Sequence, residues 1–358
     1  MTFRWLVVGV LFAWLPCRAA DYPAVIEATT LVFPRDHGAH PAFRTEWWYV
    51  TGWLDRRDGA GQLGFQVTFF RVRTPAGADN PSRFAPRQIL FAHAAVADPE
   101  IGRLVTAERG ARTGFGLAEA REGQTDVWLG DWSLRQELPA YRAPYRARVR
   151  AEGFEMDLVL APTQPVLLQG RQGFSQKAGN RKNASYYYSV PQLAVTGTVT
   201  LRGRRLGVGG SAWLDHEWSS ELMPDEAVGW DWVGLNLADG AALMAFRMRD
   251  RSGNALWAGG TLRDSQGNAR SFSPAEVEFL PQRKWRSPRT GAEYPVAMKL
   301  RVGDRTFDLK PLLDDQELDS RASTGAIYWE GAVRAYDGGT ESGKGYLELT
   351  GYWKKLRF

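Results

Sequence analysis

The pattern that limits this chain most is a recurring unit of aromatic strand, tight turn and apolar strand. Residues 46–54 read EWWYVTGWL and are followed by Asp58-Gly59 and then LGFQVTFFRVR. Residues 229–237 read GWDWVGLNL and are followed by Asp239-Gly240 and then ALMAFRMRD. Asp-Gly between two runs rich in β-branched and aromatic residues marks a hairpin, because Gly supplies the positive φ that a tight turn needs. The two copies lie about half a chain apart, which predicts two related β units.

The remaining apolar runs fit the same reading. Residues 154–160, 195–201, 298–302 and 346–352 are short, and turn signals such as Gly303-Asp304 and Asp337-Gly338-Gly339 bound most of the runs. No stretch sustains helical periodicity. The best helix candidate is 273–280, with Ser273 placed to cap and Pro274 at the first helical position. The expected class is all-β, a sandwich or barrel, with closure the cleanest way to remove sheet edges. The shift from polar to aromatic residues in GNRKNASYYYSVP (179–191) marks the expected boundary between the two units.

The first residues predict the compartment. One basic residue, Arg4, precedes an apolar run over 5–15, then Pro16 and the small-residue stretch Cys17-Arg18-Ala19-Ala20. This is the layout of a cleaved signal peptide over 1–19, and the run is shorter than the ~20 residues a membrane helix needs. Pro16 stands where a lipobox takes a small residue, so the expectation is cleavage rather than lipidation. Cys17 is the sole cysteine, so the mature chain is expected to have no disulfide, thiolate nucleophile or cysteine-ligated metal. A bacterial periplasmic or secreted protein with no transmembrane span follows. The net charge of +5 is spread among acids, which with export argues against a nucleic-acid partner.

Export raises the expectation of hydrolysis, but the usual machinery is missing. Gly173-Phe174-Ser175-Gln176-Lys177 lacks the second Gly of a nucleophile elbow. His216-Glu217-Trp218-Ser219-Ser220 starts like a zinc helix, but Ser220 stands where the second ligand would be. Four histidines and no mature cysteine argue against a zinc site, and no Gly-rich loop suggests a nucleotide. No metal and no cofactor are therefore expected.

What remains is SAWLDHEWSS (211–220). In a strand, Asp215 and Glu217 share one face with Trp213, while His216 and Trp218 share the other. In GWDWVG, Asp231 points away from Trp230 and Trp232. Two readings stay open. The aromatic residues fill barrel interiors, with acids accepting their indole N–H groups, or they wall a cavity for a long apolar ligand.

HPAFRTEWWYVTGWL (40–54), ASYYYSVPQLAVTG (184–197), GGSAWLDHEWSS (209–220) and GWDWVGLNLADGAALMAFRMR (229–249) closely resemble the carotenoid 1,2-hydratase (hydroxyneurosporene synthase) and AttH-like family, from about residue 30 to the C-terminus. The resemblance implies two tandem lipocalin-like, calycin-type antiparallel β-barrel domains, which we place at 20–185 and 186–358. It also implies binding of a hydrophobic, isoprenoid- or lipid-like molecule, with hydro-lyase chemistry that adds water across a C=C bond. That chemistry needs an acid to protonate the alkene, a placed water, and aromatic faces to stabilise a carbocation. On this resemblance Asp215 or Asp231 is the acid, His216 orients acid or water, and Glu217 belongs to the same catalytic group. Trp213, Trp218, Trp230 and Trp232 form walls, Glu46 with Trp47, Trp48 and Tyr49 form the N-terminal counterpart, and Tyr187 closes the junction. Two alternatives accompany this reading. One is a non-catalytic carrier working with an envelope ABC transporter. The other is a secreted hydrolase using paired carboxylates.

Overall fold

The computed structural model describes residues 22–75, 80–137 and 142–356. The expected signal peptide lies outside the described residues. Among the described residues the chain forms twenty-three strands. The first group is β1 (Thr45–Arg56), β2 (Gln62–Arg73), β3 (Gln88–Asp98), β4 (Arg103–Arg112), β5 (Ala118–Ala120), β6 (Asp126–Leu129) and β7 (Trp132–Gln136). It continues with β8 (Tyr145–Ala151), β9 (Phe154–Pro162), β10 (Leu167–Leu168), β11 (Phe174–Gln176), β12 (Ala184–Leu201) and β13 (Arg204–Ser219). The second group begins with β14 (Gly229–Leu237), β15 (Ala242–Arg249), β16 (Ala255–Arg263), β17 (Ala269–Phe272) and β18 (Val277–Arg286). It ends with β19 (Glu293–Val302), β20 (Arg305–Pro311), β21 (Glu317–Ser320), β22 (Ala326–Asp337) and β23 (Thr340–Leu349).

These strands make two antiparallel sheets ordered β4-β3-β2-β1-β13-β12-β9-β8-β7-β6-β5 and β17-β16-β15-β14-β23-β22-β20-β19-β18. Each recurring hairpin opens one sheet, β1–β2 in the first and β14–β15 in the second. In each, the opening strand also pairs with the closing one, β1 with β13 and β14 with β23. This is the pairing of an up-and-down barrel, and each sheet curls until β3 and β4 touch β6, or β15 and β16 touch β18. The all-β tandem architecture read from the sequence therefore holds.

Two sequence expectations change. β12 and β13 belong to the first sheet, so the break between sheets falls within 220–228 and not at 185/186. The polar-to-aromatic shift at 179–191 marks the start of a long strand, and SAWLDHEWSS closes the first sheet instead of opening the second unit. Ser273 does make a capping box with Glu276, but only the 3-10 turn Pro274–Glu276 follows. From Val277 the period-2 alternation of Val277 and Phe279, both buried, wins and the chain becomes β18.

Three packed layers result. Val50, Phe65, Phe69, Leu134 and Leu158 are among the side chains filling the first barrel. Val233, Leu235, Phe279, Trp329 and Leu347 are among those filling the second. The alternate residues of the same strands meet between the barrels, where Tyr49, Trp53, Tyr187, Trp213, Trp232, Phe246 and Tyr346 pack together. Approach is close there: a Cβ on Gly64 would sit 2.7 Å from the Ala332 Cβ and 3.0 Å from the Tyr346 hydroxyl. Among the described residues no helix is long and apolar enough to cross a membrane.

Candidate functional site

Register brings three separated motifs side by side. β13 lies between β1 and β12. Trp47 and Tyr187 flank Glu217, Trp48 and Tyr188 flank His216, and Tyr49 and Ser189 flank Asp215. Side chains alternate across a strand, so these motifs split into two clusters on opposite faces of one sheet.

The face carrying Asp215 and Glu217 looks across to the second barrel. There it meets Trp230 and Trp232 of β14, Phe246 and Met248 of β15, Tyr328 and Glu330 of β22, and Glu348 of β23. Trp47, Tyr49, Thr68, Phe70, Lys177, Tyr187 and Leu222 complete the wall. The free space among these side chains is about 60 Å³, room for a few waters.

Asp215 is held by three donors. The Tyr187 hydroxyl donates to Oδ2 at 2.7 Å, and Ser189 Oγ and Trp213 Nε1 donate to Oδ1 at 2.5 and 2.6 Å. Trp232 Nε1 donates in turn to the Tyr187 oxygen at 2.9 Å, so an indole from the second barrel fixes the phenol that fixes the acid. Burial pushes the Asp215 carboxyl up against these hydrogen bonds, and the Glu217 charge adds to it, to about 7. Glu217 accepts from the Ser185 hydroxyl and pairs with Lys177 Nζ at 2.9 Å. Lys177 also donates to Ser175 at 3.0 Å, and its ammonium lies 4.2 Å from the Phe246 ring centre and 4.9 Å from that of Tyr187. Cation–π contacts of this kind offset part of the cost of burying an amine.

The second barrel supplies a matching pair of acids. Glu330 and Glu348 stand directly opposite each other on β22 and β23. Trp230 Nε1 donates to Glu348 at 2.9 Å. Burial, opposed by that bond and helped by the Asp215 and Glu217 charges, raises the Glu348 carboxyl to about 7. Burial and the neighbouring Glu348 charge push Glu330 well above the usual carboxylate range, and neither of its oxygens closes a hydrogen bond of ordinary geometry, although Tyr49 and Tyr328 lie beside it. Four acids thus face one lysine. Like charges this close cannot all ionise, so the pocket holds protons at neutral pH.

The opposite face points into the first barrel. Glu46 accepts from Arg71 Nε at 2.7 Å, from the His40 backbone N–H, and from His40 Nδ1 and His216 Nε2 at 2.8 and 2.9 Å. Burial works against its charge, but the Arg71 charge and both imidazoles hold its carboxyl well below the usual range. His216 stacks on Trp48 with ring centres 4.7 Å apart, and burial lowers its pKa despite Glu46, leaving it neutral. Trp218 stacks on His40 at 3.7 Å. Donor atoms of His40, Glu46 and His216 lie within 4.8 Å of one another, a spacing that could hold a metal ion. A cation there would have to displace both imidazole donors from a carboxylate that Arg71 already neutralises, so the chemistry of the donor set fits an ion-pair network better.

The structure therefore divides the residues singled out in the sequence. It places Trp47, Tyr49, Tyr187, Asp215, Glu217, Trp230 and Trp232 at the pocket, with Trp213 bonded behind Asp215. Glu46, Trp48, His216 and Trp218 lie on the far side of the sheet, so His216 cannot orient Asp215 or its water. Asp231 faces away from Trp230 and Trp232. Arg247 Nε and Arg249 Nε donate to its two oxygens at 2.7 and 2.9 Å, and the Tyr352 hydroxyl donates at 3.0 Å, which makes it a structural countercharge. Lys177, Tyr328, Glu330 and Glu348 were not read from the sequence. The available signal was an acid inside an apolar strand, in AIYWEGAV (326–333) and GYLELTGYW (345–353), as in SAWLDHEW.

A two-barrel, lipocalin-like protein with an acid-lined pocket between the barrels is the class that this fold and site define. More narrowly, the chain belongs to the AttH-like family, which it matches over residues 24–352. The crystal structure of NE1406 from Nitrosomonas europaea, described as an AttH, is similar at 48% identity and a TM-score of 0.85, covering 92% of this chain and 99% of that one. Kievitone hydratase from Nectria haematococca shares the fold at 15% identity and a TM-score of 0.69, covering 93% of this chain and 96% of that one. CghA with Sch210972 does so at 13% identity and 0.56, with the same coverage. No curated protein sequence matches significantly.

Proposed function

We propose that this protein is exported, binds a hydrophobic, isoprenoid- or lipid-like molecule at the pocket between its barrels, and adds water there across a C=C bond. One observation carries the reading: Asp215, a buried acid raised to about 7, stands in an aromatic pocket and is fixed by three hydrogen bonds. A carboxylic acid that is still protonated near neutrality can donate a proton to an alkene. The faces of Trp47, Trp230 and Trp232 suit the cation that forms. Water then attacks the cation, and its surplus proton goes to an ionised carboxylate of the pocket, with Glu348, also raised to about 7, poised to accept it. The small volume suits the reacting end of a ligand and its water rather than a whole chain. A hydratase among the proteins of this fold is consistent with the reading.

The test is incubation of the purified protein with isoprenoid alkenes in ¹⁸O-labelled water, followed by mass spectrometry. Label should enter the product with the native protein and not with Asp215→Asn, while lipid retained through purification survives that substitution. Retained lipid with no water addition by either protein would make the chain a carrier. Ester or glycoside turnover lost on Glu217→Gln would make it a hydrolase.

A further inference from the structure

A chain of hydrogen bonds leads from this pocket to the surface. Tyr328, which lines the pocket beside Glu330, has its hydroxyl 2.7 Å from His93 Nδ1. His93 Nε2 is 2.9 Å from Ser323 Oγ. Ser323 donates to Glu108 Oε2 through its hydroxyl, and through its backbone N–H at 3.0 Å. His93 and Tyr328 are buried, whereas Ser323 and Glu108 are partly open to solvent. The parts come from both barrels: His93 and Glu108 stand opposite each other on β3 and β4, Ser323 lies in the turn after β21, and Tyr328 is on β22.

Burial pushes the His93 imidazole down to about 3, so it stays neutral and has one donor and one acceptor. That gives the chain a direction. With Glu108 ionised, Ser323 O–H donates to Glu108, His93 Nε2–H donates to Ser323, and Tyr328 O–H donates to His93 Nδ1. Reversing every hydrogen turns the Tyr328 hydroxyl towards Glu330.

We propose that Tyr328, His93, Ser323 and Glu108 form a proton relay joining Glu330 in the pocket to solvent. Inward transfer balances atom by atom. A proton on Glu108 passes to Ser323 Oγ as the Ser323 proton passes to His93 Nε2. The His93 Nδ1 proton passes to the Tyr328 oxygen as the Tyr328 proton passes to ionised Glu330. Outward transfer is the reverse. Glu330 is where such a path has use, since its carboxyl is buried, pushed well above the usual carboxylate range by burial and the Glu348 charge, and flanked by the Tyr328 and Tyr49 hydroxyls. Gln66 and the rings of Phe70 and Tyr49 surround this end, and Glu348 is the neighbouring charge. The relay rests on the acidic pocket and not on the reaction assigned to it, so failure of the hydratase reading leaves it standing.

Infrared spectroscopy of the full chain tests it without a substrate. The band of a buried protonated carboxyl, assigned to Glu330 by its loss in Glu330→Gln, should shift promptly on transfer to D₂O. Ser323→Ala and His93→Phe should slow that shift about tenfold or more, equivalent to ~1.4 kcal/mol of added barrier. A merely structural tie predicts the opposite sign, because loosening the interface lets water in and speeds exchange. Equal or faster exchange in Ser323→Ala overturns the relay, and so does a native spectrum with no band that Glu330→Gln removes.

Discussion

Asp215→Asn should change how stability depends on pH, and the size of the change follows from the site. The Asp215 carboxyl moves from an ordinary 3.8 to about 7 on folding. A raised carboxyl pKa means that the unfolded chain loses its proton first. Below pH 3.8 both states are protonated and folding carries no penalty from this group. Above that, native stability falls by ~1.4 kcal/mol per pH unit until the folded carboxyl ionises near 7, a total of roughly 4 kcal/mol. Between pH 5 and pH 8 the expected fall is about 3 kcal/mol. Asn cannot titrate, so the variant lacks this slope. It carries instead a pH-independent cost of ~1 kcal/mol, because an amide NH₂ now faces the Tyr187 hydroxyl that donated to Oδ2. Glu348 titrates in both proteins and largely cancels. Urea unfolding of both proteins from pH 5 to pH 8.5 measures the difference. The variant should be more stable than native by less than ~1 kcal/mol at pH 5 and by ~3 kcal/mol at pH 8. A difference that stays constant across this range would refute the claim that Asp215 is held protonated by burial.

Three other outcomes are expected. Lys177→Met leaves Glu217 buried without its cation and should cost ~3–5 kcal/mol in urea unfolding, with much of it recovered in Lys177→Met/Glu217→Gln. Asp231→Asn removes the countercharge from Arg247 and Arg249 and should destabilise by a similar ~3–5 kcal/mol, opposite in sign to Asp215→Asn at pH 8, with no effect on retained lipid. Gly64→Val drives a side chain against Ala332 and Tyr346 and should cost about 1–3 kcal/mol. Faster proteolysis of the 220–228 linker would report the loosened interface.

Much of the fold was legible because strand signals are local. The period-2 patterns and Asp-Gly turns of 46–73 and 229–249 found both opening hairpins, and their recurrence found the duplication. The 185/186 boundary failed because a change of composition marks the start of a strand as readily as the start of a domain. Pairing decides which, and Tyr187 pairs with Glu217 inside the first sheet. Alternation along SAWLDHEWSS also separated Asp215 and Glu217 from His216 and Trp218 from local geometry alone.

Which face becomes a pocket was not legible, because strand alternation has no label for inside and outside when both faces are buried. Docking of the second barrel on the first decides it. That docking sets Trp232 on Tyr187, Phe246 over Lys177, and Glu330 and Glu348 across from Asp215. The same docking strips water from four acids and so raises the Asp215 and Glu348 carboxyls to about 7. The sequence alone determined the strands, their duplication and the side on which each residue of a strand must fall. Only the tertiary structure decided that the Asp215 carboxyl is raised to about 7 while Asp231 meets two arginines, because desolvation and countercharge depend on what packs against a residue, not on its neighbours in the chain.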